Sequence, residues 1–279
     1  MIASLSQVLG EPGGGRAVGA FTAYDLEAAS GILAAAESRR SPVILLVSRA
    51  AFARRRGPAF LAALRAAAER AAVPVCIQLD HVADRELIGH AVDLGCGAVM
   101  ADGSKLEFDA NVELVAAARG LLAGGGAEVE GELGHLSGGE DVARAVAAGA
   151  LTDPRQVAPF VAATGVSCLA VSIGNVHGTY AAPPRLDWEL LRRVRAATDV
   201  HLSLHGASGL DDEDVARAIE LGVTKVNVNL ELRQAYLLAT EQVLERALEG
   251  FDLLELHDCQ AAAVEAVAAA KMDVFAGAS

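Results

Sequence analysis

No run of about 18 uninterrupted apolar residues occurs in the 279-residue chain, which argues against a membrane-spanning helix. The opening residues, MIASLSQVLGEPGGGR, carry no basic region ahead of an apolar stretch, so no signal peptide is expected and the cytoplasm is the expected location. Cysteine is scarce: Cys76, Cys96, Cys168 and Cys259 are widely spaced, form no CxxC, and read as buried thiols instead of disulfides or a zinc knuckle. A basic surface is also missing. The net charge is −13 and no arginine cluster is large, which excludes a nucleic-acid face; Arg54, Arg55 and Arg56 read as a solvated helix end. No GxGxxG follows the first apolar run, and Gly13, Gly14 and Gly15 precede it, so a dinucleotide-binding open sheet lacks its phosphate cradle.

What is present is a repeating unit. With 53% apolar and 21% charged residues the composition is that of a globular protein. Short β-rich apolar runs recur at 17 to 24, 41 to 48, 73 to 80, 97 to 104, 127 to 134, 167 to 174, 200 to 206 and 224 to 231. Most are near-continuously apolar, as strands covered on both faces should be, and stretches with helical spacing separate them. Asp153-Pro154 and Asp211 offer helix starts, and glycines after residue 122 offer a stop. Eight strand-helix units without a linker-like shift in composition predict an α/β fold: a single (β/α)8 barrel domain over residues 1–279.

Such a barrel gathers its active site at the C-terminal ends of the strands. Strand three closes on Asp80-His81, strand four on Asp102-Gly-Ser104, strand five on Glu132, strand six on Asn175-Val-His177-Gly178, strand seven on His205-Gly206-Ala-Ser208, and strand eight on Asn227 and Asn229. His81, His177 and His205 thus meet on one rim, and three imidazoles around an open position form the ligand set of a catalytic zinc. His90 falls in a helix, His201 near a strand start and His257 in a late loop, while His135 lies near the rim with its role open.

These residues resemble the class II, metal-dependent ketose-bisphosphate aldolases. The carriers are LDH at 79 to 81, ADGS at 101 to 104, VEGELG at 129 to 134 with SGGED at 137 to 141, SIGNVHGTY at 172 to 180, LHGASG at 204 to 209 and KVNV at 225 to 228. The resemblance implies that His81, His177 and His205 hold Zn2+, with Glu132 and Asp102 as alternate or second-site ligands, and it admits a monovalent cation. It implies that Asp80 handles the proton of the hydroxyl made or consumed on cleavage. Glu140, beside Gly138 and Gly139, would exchange a proton with the carbon that becomes the nucleophile. The reaction implied is reversible aldol cleavage through a zinc-stabilised enediolate, on a small ketose and aldehyde, in a homodimer or homotetramer that binds neither nucleic acid nor membrane.

The phosphate positions depart from the family pattern. Ala181 and Ala182 stand after Tyr180 where a lysine is usual, Leu230 replaces a threonine, Thr22 replaces an asparagine, and the C-terminal VFAGAS lacks an arginine. The backbone amides at Gly178, Gly206 and Ser208 still suit an anion, and Asn227, Asn229 and Ser48 complete the expected substrate contacts. Each charge-assisted contact typically contributes about 1.5–3 kcal/mol, so the expected substrate is not the usual bisphosphate. Two other readings stay open, a zinc hydrolase on the same barrel and a non-catalytic metal-binding homologue. Helix 231 to 248 is expected to cover the barrel, with apolar surface enough for a partner.

Overall fold

The apolar runs do become strands buried on both faces. A computed structural model describes residues 1–138, 141–142, 145–147, 149–181 and 183–277. The strands are β1 (Val18–Thr22), β2 (Val43–Ser48), β3 (Val75–Val82), β4 (Ala98–Ala101), β5 (Glu128–Leu133), β6 (Ala145–Val146), β7 (Cys168–Val171), β8 (Thr179–Tyr180), β9 (His201–Leu204) and β10 (Val223–Val228). Eight of them close into a parallel barrel in the order β1, β10, β9, β7, β5, β4, β3, β2, with β1 also paired to β2. This is the (β/α)8 architecture that the repeating units predict. β6 and β8 pair with each other outside the barrel, joining the loops that follow β5 and β7. That pairing was not legible in the runs, because two-residue strands carry no periodicity.

Side-chain alternation divides the barrel into an outer and an inner core. Ile77, Leu79, Leu202 and Leu204 face outward into one large apolar core with the helices. Val18, Ala20, Ile44, Cys76, Ala98 and Cys168 belong to a separate inner cluster, where they pack on Leu5, Val8 and Leu9. Those three lie on the helix Leu5–Leu9, which Ser4 and Gln7 hold in a capping box, and the helix thereby stoppers the N-terminal end of the barrel. Cys76, Cys96 and Cys168 are buried, Cys259 is half-buried, and all four thiols are free.

Asp84, Asp153 and Asp211 cap their helices as their positions suggest, with Pro154 in the first turn after Asp153. Two expectations need correction. The helix Leu230–Gly250 buries only Leu232, Val243 and Ala247. It lies against the helix Leu253–Phe275, and that helix closes the ring against β1 and the helices Leu26–Arg39 and Asp212–Glu220. His257 is not in a loop either: it sits on this last helix, 3.4 Å from Glu27 at the surface.

Candidate active site

Neighbours on a regular strand point to opposite faces, so Asp80 and His81 should not both reach the barrel mouth. β3 resolves the conflict with a bulge. Leu79 pairs with Val99 and Val82 with Ala101, so Asp80 and His81 together stand opposite the single residue Met100. His81 takes φ 49°, a left-handed conformation that costs a non-glycine residue on the order of 1–3 kcal/mol. Both side chains then line the same cavity.

Three imidazoles converge there. The ring centroids of His177 and His205 lie 4.8 and 5.0 Å from that of His81, and the three ligand nitrogens lie within 4.8 Å of one another. His81 Nδ1 is 2.9 Å from Asp102 Oδ2, and His205 Nε2 is 2.8 Å from Glu130 Oε1. Burial works against ionisation of both acids. Lys225 and His205 nevertheless hold Glu130 well below the usual carboxylate range, and the bonds from His81 and Ser104 do the same for Asp102. Each carboxylate is placed to accept an N–H from its imidazole, and the opposite nitrogens, His81 Nε2 and His205 Nδ1, lie 3.0 Å apart, with the Asn227 amide nitrogen 3.2 Å from His205 Nδ1. Three ring nitrogens converging at this spacing suit a shared cation. Burial lowers the pKa of His205 although Glu130 opposes it, which favours the neutral, ligating imidazole.

Glu132 adds a second argument for a cation. Its buried Oε2 has no hydrogen-bond partner among the described residues and lies 3.8 Å from His81 Nδ1. Burial and the neighbouring Asp102 charge push this carboxyl up to about 7. His81, Asp102 and Glu132 form a second cluster with metal-ligand spacing. The donor set fits a divalent ion with nitrogen and oxygen ligands.

The expected residues fall into two adjoining cavities. Ser48, Asp80, His81, Asp102, Glu132 and His177 line one of about 230 Å³. Gly178, Gly206, Ser208, Asn227 and Asn229 line the other together with His177. His205 is fully buried beneath them. Asp80 Oδ2 lies 3.4 Å from Asn227 Nδ2. Glu140, Gly139 and Ala182 lie outside the described residues. Ser48 Oγ and Tyr24 Oη both donate to Asp141 Oδ1 at 2.8 Å, and Arg233 donates to the Asp141 carbonyl. Ser208 Oγ donates to Glu231.

Reading strand ends alone overlooks several residues. Arg49 and Lys105 line the larger cavity, and His135, which the sequence places near the rim, lines it with them, its Nδ1 3.4 Å from Ser104 Oγ. Arg233 supplies a cation near Ser48 that the sequence pattern did not suggest. Gln78, Glu130, Ser203 and Lys225 form a buried polar layer under the histidines. Their signal was available as polar residues at every second position: Glu128, Glu130, Glu132; His201, Ser203, His205; Lys225, Asn227, Asn229. The other histidines lie elsewhere: His90 packs on Phe52, and His201 bonds Thr224 Oγ1 at the far end of the barrel.

The chain is similar to known proteins in both sequence and fold. The family model described as "Fructose-bisphosphate aldolase class-II" matches residues 11–279. The Escherichia coli K12 protein YdjI is 38% identical over 226 residues, 81% of each chain. The crystal structure of the YdjI aldolase superposes with a TM-score of 0.88 at 33% identity, covering 99% of this chain and 97% of that one. A solved Coccidioides immitis protein assigned as a fructose-1,6-biphosphate aldolase gives a TM-score of 0.85 at 32% identity, covering 94% and 91%.

Proposed function

The chain belongs to the class II fructose-bisphosphate aldolase family and is an aldehyde-lyase; from that premise we propose that it cleaves and forms the carbon–carbon bond of a ketose or ketose phosphate with zinc held by His81, His177 and His205. The convergence of ligand nitrogens from His81, His177 and His205 within 4.8 Å of one another carries the metal reading. The ion, when bound, supplies Lewis acidity at the ketone. Asp80, beside a ligand, takes the proton of the hydroxyl on cleavage and returns it on condensation, with the Asn227 amide 3.4 Å from its carboxylate. Glu140, which lies outside the described residues, is assigned the proton exchange at carbon from the family resemblance of the SGGED segment. An imine route finds no support in Lys225: burial disfavours its charge, but Glu130 outweighs that and keeps the amine protonated, and it lines neither cavity.

The substrate is read as something other than a ketose bisphosphate. Among the described residues no lysine or arginine lines the cavity formed by Gly178, Gly206 and Ser208, and Glu231 occupies the Ser208 hydroxyl. A kcat/KM of ~10⁴ M⁻¹s⁻¹ or more on fructose or tagatose bisphosphate would overturn this. The chemistry itself is tested by incubating zinc-loaded protein with dihydroxyacetone phosphate or dihydroxyacetone in deuterated water. Label should enter at carbon in the wild type and be lost in Glu140→Gln. Replacing His177 by Ala should abolish stoichiometric zinc; unchanged zinc content would refute the triad.

Residues 1–279 are taken as one barrel domain working in the cytoplasm. Among the described residues no helix is long and apolar enough to cross a membrane. Self-association as a dimer or tetramer is assigned to the helix Leu230–Gly250, whose Leu237, Leu238, Leu244 and Leu248 are exposed.

A further inference from the structure

Beneath the histidines, four donors converge on one carboxylate. Glu130 Oε1 accepts from His205 Nε2 and Ser203 Oγ, and Oε2 accepts from Gln78 Nε2 at 2.6 Å and from Lys225 Nζ at 2.9 Å. Lys225 and Glu130 are both fully buried. Lys225 Nζ makes a second contact, 2.6 Å to Asn227 Oδ1, which leaves the Asn227 amide nitrogen facing Asp80 Oδ2 at 3.4 Å and His205 Nδ1 at 3.2 Å. An ion pair of this kind is costly to bury and often contributes little net stability against apolar side chains of similar volume. Its place directly under the site gives it another use.

We infer that the Glu130–Lys225 pair is a positioning element for the metal site. Glu130 fixes His205 in the Nε2–H tautomer with Nδ1 toward His81 and His177, and Lys225 fixes the Asn227 amide with its nitrogen toward Asp80. One buried ion pair then sets both a ligand lone pair and the hydrogen-bond partner of the proton-transfer acid. Neither residue lines either cavity of the site. The inference rests on the reading of His81, His177 and His205 as metal ligands, and its test separates the two.

Metal-free wild-type protein with ¹⁵N-labelled histidine reports the tautomer directly, the His205 signals being assigned by their loss in His205→Asn. The Nε2–H tautomer is expected, and an Nδ1–H ring overturns the inference whether or not the protein binds zinc. Failure of the wild type to bind zinc or cobalt would instead overturn the triad. The paired variant Glu130→Leu/Lys225→Met removes both charges at similar volume. It is expected to fold, yet to bind cobalt about 10- to 100-fold more weakly in competition with a chelator, with a changed visible spectrum. A folded double variant with wild-type cobalt affinity and spectrum shows that the pair is only structural and sinks the idea. If that variant fails to fold, Glu130→Gln gives the second reading: its weaker acceptor should lower cobalt affinity severalfold, and unchanged affinity overturns the inference.

Discussion

Individual residues divide into those that announced themselves and those that did not. His81, His177 and His205 were legible because each follows an apolar run, where an ionisable side chain has no packing role. Glu130 and Lys225 sit inside such runs, and their meaning depends on which strands become neighbours, which a single run does not reveal. If Asp80 moves the hydroxyl proton as proposed, Asp80→Asn should lower kcat by ~10²- to 10⁴-fold while zinc stoichiometry stays at the wild-type value. Glu132 makes a pH prediction. Its folded pKa of about 7 lies above the value of an unfolded glutamate, so the folded metal-free chain holds a proton that the unfolded chain has lost. Its contribution to stability is fully present below about pH 4.3 and disappears as pH rises through 7, a change of about 4 kcal/mol. Thermal melts of metal-free protein at pH 5 and pH 7.5 should show that loss, and Glu132→Gln should flatten it.

Among the elements, all eight barrel strands and the capped helix starts were legible, since burial on both faces and Asp caps are local signals. The division of labour between the last two helices was not, because both are rich in Ala and Leu and only packing tells which one fills the ring. Packing here is close. A Cβ on Gly31, in the helix Leu26–Arg39, would lie 2.3 Å from the Ala261 carbonyl oxygen of the closing helix. Gly31→Ala should therefore force the two helices apart and cost ~1–3 kcal/mol despite the better helix propensity of alanine. At about 2–4 °C per kcal/mol for a chain of 150–250 residues, the loss is readable as a drop in Tm of several degrees. An unchanged or raised Tm would mean that the contact yields.

For the molecule as a whole, the barrel spends its outer face on helices and leaves an apolar row on the helix Leu230–Gly250 uncovered. Leu237 and Leu238 are 66% and 55% exposed, and Leu244 and Leu248 42% and 56%. Light scattering should give a mass that is a multiple of the 28.6 kDa chain, and Leu244→Glu with Leu248→Glu should reduce it to one chain. A wild-type protein monomeric at micromolar concentration would remove that face from consideration. The bulge in β3 sets a rule for moving this chemistry elsewhere. Copying Leu-Asp-His onto a regular strand of another barrel would turn either the acid or the imidazole out into the helical layer. The graft needs the extra residue and the left-handed backbone along with the side chains, so the portable unit is the kink, and the residue letters are only its cargo.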